Sequence, residues 1–104
     1  MITLNAAGNR VKLSANGFYR IFPNDLGRFS SISAIWTGKG VNPSGTLSFS
    51  VDGDPGQNAE LGVINLSQVG QTGSRTCSSN MNFAFVDVQV TGLPDSGQVM
   101  LYLR

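Results

Sequence analysis

Gly38-Lys39-Gly40 followed by Ser44-Gly45-Thr46 is the first pattern with chemical promise, because glycine-rich loops carrying a lysine can hold phosphate. A phosphate cradle needs successive backbone N–H groups and an immediate helix whose N-terminus adds its dipole. Here the lysine precedes the Ser-Gly-Thr, and the run that follows, Thr46 to Val51, alternates like a strand. The stretch therefore reads as a loop between two strands, with Lys39 solvated at its tip. Asp52 and Asp54, with Glu60 nearby, form the one local group of carboxylates. Such a group suggests oxygen ligands for calcium or the paired acids of a glycosidase. Only Asn58 adds a further oxygen, so these aspartates read as turn formers and no metal is assigned. Cys77, in "GSRTCSSN", has no base to activate it, since the chain contains no histidine. Ser30-Ser31 and Ser78-Ser79 have no His or Lys at motif spacing either. No catalytic residue, metal ligand or cofactor site emerges, and the chain reads as a non-enzyme.

Aromatic residues invite a second chemistry, the stacking of rings on sugars. Trp36, Tyr19 and Tyr102 are the candidates, but Trp36 ends a strand in a hydrophobic register and reads as core.

The elements that must position these residues are strands. "RVKLSA" sets Val11, Leu13 and Ala15 against Arg10, Lys12 and Ser14, and "TLSFSV" sets Leu47, Phe49 and Val51 against Thr46, Ser48 and Ser50. Alternation with period two marks strands with one face on a core. The spacing predicts strands near 2–6, 10–15, 18–22, 28–36, 46–52, 60–66, 73–78, 82–91 and 98–103. Asn16-Gly17 has the composition of a tight hairpin turn, and 52–56 and 92–97 are turn clusters. No window has helical periodicity. Many short strands at regular intervals, with a long connection expected at 53–60, predict an all-β fold. Its expected form is a single domain over 1–104, a two-sheet antiparallel β-sandwich of jelly-roll type.

Composition narrows the function. Charged residues are 12%, against about 25% in an average soluble domain. Gly, Ser, Thr and Asn together account for 40 of the 104 residues. A net charge of +1 gives little mutual repulsion, which suits a protein packed against others. Basic and acidic residues are scattered along the chain with no cluster for a polyanion, so no nucleic-acid partner is expected. No stretch reaches the roughly 20 apolar residues that span a bilayer, so no membrane partner is expected. The opening segment has no long apolar run and a lone cysteine makes no internal disulfide, so synthesis in a cytosol is expected.

Both faces of several strands carry apolar residues. On 82–91, Phe83 and Phe85 oppose Ala84, Val86, Val88 and Val90; on the last strand, Met100 and Tyr102 oppose Val99, Leu101 and Leu103. Phe29 and Ile35 share one side of the fourth strand, and Ile32, Ala34 and Trp36 share the other. Either a second layer of the same core covers the outward set or a neighbouring subunit does, and the low charge favours the neighbour. Phe83, Phe85, Met100, Tyr102 and Ile35 are the candidate interface anchors.

"SISAIWTGKGVNPSGTLSFSVDGD" and "NMNFAFVDVQVTGLPDSGQVMLYL" together resemble a pattern in small virion proteins of tailed bacteriophages. A strand ending in Trp-Thr-Gly leads through a Gly/Pro/Ser loop into "GTLSFSVDG"-like text. An aromatic strand of the form "FVDVQVTG" later precedes a closing strand, "SGQVMLYL". The similarity covers 31–53 and 82–103, under half the chain, and Asp87 stands where Arg is common in the pattern. The resemblance implies a β-sandwich assembled into the virion, as a head decoration (cement) protein or a tail accessory. It would bind the major capsid protein or another virion protein and itself, often as a trimer. The alternative, from a different class, is a carbohydrate-binding module for host adsorption on a tail or surface fibre, whose mark would be an exposed aromatic platform.

Overall fold

The computed structural model describes residues 1–23, 27–37, 45–54, 57–66, 72–93 and 97–104. The lysine loop at 38–44 lies outside them, as does part of the turn cluster at 92–97. Nine strands run through the described residues: β1 (Ile2–Ala6), β2 (Arg10–Leu13), β3 (Gly17–Pro23), β4 (Phe29–Thr37), β5 (Thr46–Asp54), β6 (Gln57–Asn65), β7 (Thr72–Phe83), β8 (Val86–Thr91) and β9 (Gln98–Leu103). They form a five-stranded sheet of order β1-β3-β8-β5-β6 and a four-stranded sheet of order β2-β9-β4-β7.

Each successive strand crosses to the opposite sheet, with one exception, the β5–β6 hairpin. This winding is the jelly roll, with β1 added at one edge. Most pairings are antiparallel, but β1 runs parallel to β3, placing Leu4 beside Ile21. The expected long connection at 53–60 is absent: β5 and β6 stay paired as far as Asp54 and Gln57, through register shifts between Phe49 and Ser50 and between Asp52 and Asp54. Asn16-Gly17 likewise closes no hairpin, because β2 and β3 belong to different sheets. Asn16 Oδ1 instead accepts the Leu93 N–H at 2.8 Å, tying this crossover to the one that leaves β8.

The core lies between the sheets and is built from rows of paired side chains. In the five-stranded sheet Tyr19, Val88 and Phe49 form one row, and Ile21, Val86 and Val51 the next. In the four-stranded sheet Leu13, Val99 and Trp36 align, then Val11, Leu101 and Ala34. All but Val11 are buried, and each large side chain contributes about 1.5–3 kcal/mol by leaving water.

Two breaks in the alternation change the sequence reading. A register shift between Phe29 and Ser31 places Phe29 on the inner side with Ile32, so it lies in the core and not beside Ile35. The predicted strand 82–91 is two strands, because β7 ends at Phe83, Ala84 bends and β8 begins at Val86 in the other sheet. Ala84 is therefore exposed, while Val86, Val88 and Val90 are buried as expected.

Gly62 on β6 faces Cys77 on β7 across the open side of the sandwich. A methyl group on Gly62 would meet Cys77 Sγ at 2.7 Å. Gly62→Ala is expected to cost about 1–3 kcal/mol in urea unfolding. Adding Cys77→Ala should recover most of that loss, and simple additivity of the two changes would refute the contact.

Candidate functional site

The residues singled out in the sequence do not converge. Phe83 lies in the core, 4% exposed, its ring tilted against Phe29 at 5.9 Å; it is no surface anchor. Phe85 sits in the bend before β8, half-buried and on the outside of the five-stranded sheet. Ile35, Met100 and Tyr102 are on the outer face of the other sheet, where Ile35 pairs with Met100 and Tyr102 with Ser33. The aromatic candidates for sugar stacking separate too. Tyr19 is buried and donates its hydroxyl to the Ala15 carbonyl at 2.7 Å. Trp36 is 2% exposed, and its Nε1 has no hydrogen-bond partner among the described residues. Tyr102 alone of the three reaches the surface, half-buried.

An exposed aromatic ring lies one residue away from Tyr19, at Phe18. On β3, "GFYRIFP", Tyr19, Ile21 and Pro23 face the core, which turns Phe18, Arg20 and Phe22 outward. Phe18 is 56% exposed. Strand pairing extends this set into two rows across the five-stranded sheet. Phe18 aligns with Gln89, Ser48 and Val63, a row that crosses three strand spacings, or about 14 Å. The second row runs Thr3, Arg20, Asp87 and Ser50.

The second row is held by contacts of its own. Arg20 holds the Asp87 carboxylate with two hydrogen bonds, Nε to Oδ1 at 2.7 Å and Nη2 to Oδ2 at 2.9 Å. The guanidinium lies 4.5 Å from the centre of the Phe85 ring, and that ring tilts against Phe22 at 5.6 Å. A bidentate pair fixes direction as well as charge, and stacking fixes the guanidinium plane. Farther along β8 and β5, the Thr46 and Thr91 hydroxyls share a 2.6 Å hydrogen bond. The face thus offers a rigid aromatic edge, an exposed amide and a line of hydroxyls. Aromatic rings suit the apolar C–H faces of sugars, while amides and hydroxyls exchange hydrogen bonds with sugar hydroxyls. Among the described residues no group of three or more His, Cys, Asp or Glu gathers into a metal site. The side chains of Asp52, Asp54 and Glu60 fall outside the described ones.

No protein-family model matches the sequence, and no curated protein matches it either. Solved structures do match the fold. A family 29 carbohydrate-binding module from Piromyces equi is 14% identical with a TM-score of 0.53, covering 86% of this chain and 62% of that one. A CBM29-2 variant complexed with cellulohexaose is 12% identical with a TM-score of 0.51, covering 93% and 68%. A further CBM29-2 variant, from work on ligand recognition, is 13% identical with a TM-score of 0.50, covering 86% and 61%. The chain spans about three-fifths of the length of the first and last of these modules. At such identities the likeness establishes a shared β-sandwich.

Cys77 is half-buried beside Gly62, in a cleft of about 230 Å³ lined also by Arg75 and Asn65. Burial pushes its thiol above the usual range, so the thiolate is scarce near neutrality. Alkylation by iodoacetamide should be slower than for a free thiol at about pH 7, with its rise displaced to higher pH. Rapid labelling at neutral pH would contradict this environment.

Proposed function

We propose that this chain is a non-catalytic carbohydrate-binding domain that receives an extended, neutral oligosaccharide on the outer face of its five-stranded sheet. The observation that carries the reading is the Phe18–Gln89–Ser48–Val63 row, an exposed aromatic ring leading into hydrogen-bonding side chains. Phe18 has no role in the core that would explain a large apolar side chain there. Arg20 is neutralised by Asp87, which favours an uncharged ligand over an acidic one. The sandwich shared with carbohydrate-binding modules supports the same reading.

The setting we propose is host adsorption on a virion tail or surface fibre, which rests on the resemblance of 31–53 and 82–103 to phage virion proteins. The sequence also pointed to a head decoration (cement) protein that binds the major capsid protein and itself to stabilise the particle. One observation favours that second reading: Ile35, 38% exposed, pairs with Met100 beside Tyr102, giving an apolar centre on the outer face of the four-stranded sheet.

A glycan array with the free protein separates the two. Retention of neutral oligosaccharides is expected, and Phe18→Ala should weaken binding of the best ligand about tenfold or more, from the lost burial of a phenyl ring. Tyr102→Ala should leave that affinity unchanged. An empty array together with co-sedimentation of the protein with phage heads would replace the glycan reading with the cement reading.

A further inference from the structure

Cations from opposite ends of the chain meet on the outer face of the four-stranded sheet. Val11 and Leu13 pack against the core, which turns Arg10 and Lys12 of β2 outward, both exposed. Leu101 and Leu103 are buried in the same way, so Met100 and Tyr102 of β9 face out. Arg104 keeps that parity, because pairing with β4 continues past β9. Its N–H donates to the Ser31 carbonyl at 2.9 Å, and its carbonyl accepts the Ser31 N–H at 3.0 Å. Arg104 is exposed as well.

Strand pairing carries each cation into a row that ends in hydroxyls. Arg10 aligns with Tyr102, Ser33 and Thr76, and the last two share a 3.0 Å hydrogen bond. Arg104 leads to Ser31 and Ser78, and Lys12 leads through Met100 and Ile35 to Ser74. The four strands of this sheet contain no Asp or Glu. Among the described residues none of the three cations forms an ion pair. The face also has a hollow at its cationic end. Pairing of β2 with β9 begins at Arg10 and Tyr102; before it, Gly8 and Asn9 turn the backbone with φ of 65° and 60°. Between that turn and Arg104 lies a cleft of about 330 Å³, bordered by Tyr102 and Leu103. Small-ligand pockets start at about this size.

The chemistry selects the occupant. Two guanidiniums attract carboxylates, the half-buried Tyr102 ring offers a flat apolar surface, and serine and threonine exchange hydrogen bonds with hydroxyls. A nucleic-acid strand carries a charge about every 3.4 Å, denser than cations that stand about 7 Å apart along a strand. A sugar acid has one carboxylate per ring, a C–H face for the tyrosine and hydroxyls for the serines. We propose that this end of the four-stranded sheet binds an acidic oligosaccharide, with one ring in the cleft against Tyr102 and its carboxylates held by Arg10 and Arg104. Lys12 and the Ser33–Thr76 pair receive the neighbouring rings. The site is separate from the Phe18 row on the opposite sheet and does not depend on what that row binds.

Isothermal titration calorimetry with tetragalacturonate tests it. The acid should bind in about 0.01 M salt and fade toward about 1 M, as the Debye length falls from about 30 to about 3 Å. Arg10→Gln/Arg104→Gln should weaken it about tenfold or more, the scale of a lost charge-assisted hydrogen bond. That variant should leave thermal unfolding unchanged, because both side chains are exposed, and should still retain neutral oligosaccharides. Tyr102→Phe should keep the affinity that Tyr102→Ala loses. No binding at low salt would overturn the proposal, as would an affinity indifferent to the double variant. An oligothymidylate of equal charge that bound as tightly would also overturn it, by reducing the site to charge alone. So would particle co-sedimentation lost in the double variant without any uronate binding, which would identify the occupant as protein.

Discussion

Burial of one side of every strand between the two sheets is the constraint on which the other features depend. Tyr19 and Ile21 join Val86, Val88, Phe49 and Leu101 in one buried cluster. Once those residues face inward, the pleat leaves no choice for their neighbours, because a slip of one residue would reverse every side chain of the strand. Phe18, Arg20 and Phe22 are outside because Tyr19, Ile21 and Pro23 are inside. Gln89 and Asp87 follow from the valines of β8 in the same way. The outer surfaces are thus by-products of core packing in position, though not in chemistry. The core requires that something face out at these sites, and an exposed phenylalanine beside an ordered arginine is not needed for folding.

The Arg20–Asp87–Phe85 assembly links the two levels. Its direct effect on stability is small, since Arg20 is more than a third exposed and solvent screens the ion pair. Its larger effect is to hold side chains in place at the junction of β3 and β8. The two hydrogen bonds orient the guanidinium, and the ring beneath it is held in turn by Phe22. A surface ordered in advance loses less entropy when a ligand arrives, which matters most where single contacts are weak.

Strand positions were legible in the sequence because alternation is a local signal. "TLSFSV" and "QVMLYL" fold where and how the pattern indicates, and the jelly-roll class follows from their number and spacing. The changes of sheet were not legible. "NFAFVDVQV" reads as one continuous alternating strand, yet the chain turns at Ala84 with no glycine or proline to mark the place. That turn puts Phe83 in the core and Phe85 outside the opposite sheet. The shift between Phe29 and Ser31 is equally silent, since either parity of "FSSIS" leaves an apolar residue inside. In "GFYRIFP" both faces are comparably apolar, so periodicity finds the strand without choosing its inner side. Pairing with the valines of β8 makes that choice, and it is a tertiary one.

Amide chemical-shift mapping addresses the binding face most directly. Isotopically labelled protein would be titrated with the oligosaccharide it retains, and the perturbed amides placed on the two sheets. The predicted result is a set of shifts concentrated at Phe18, Arg20, Gln89 and Ser48. Shifts confined to Ile35, Met100 and Tyr102, with Phe18 unmoved, would contradict the assignment of the five-stranded sheet as the ligand face.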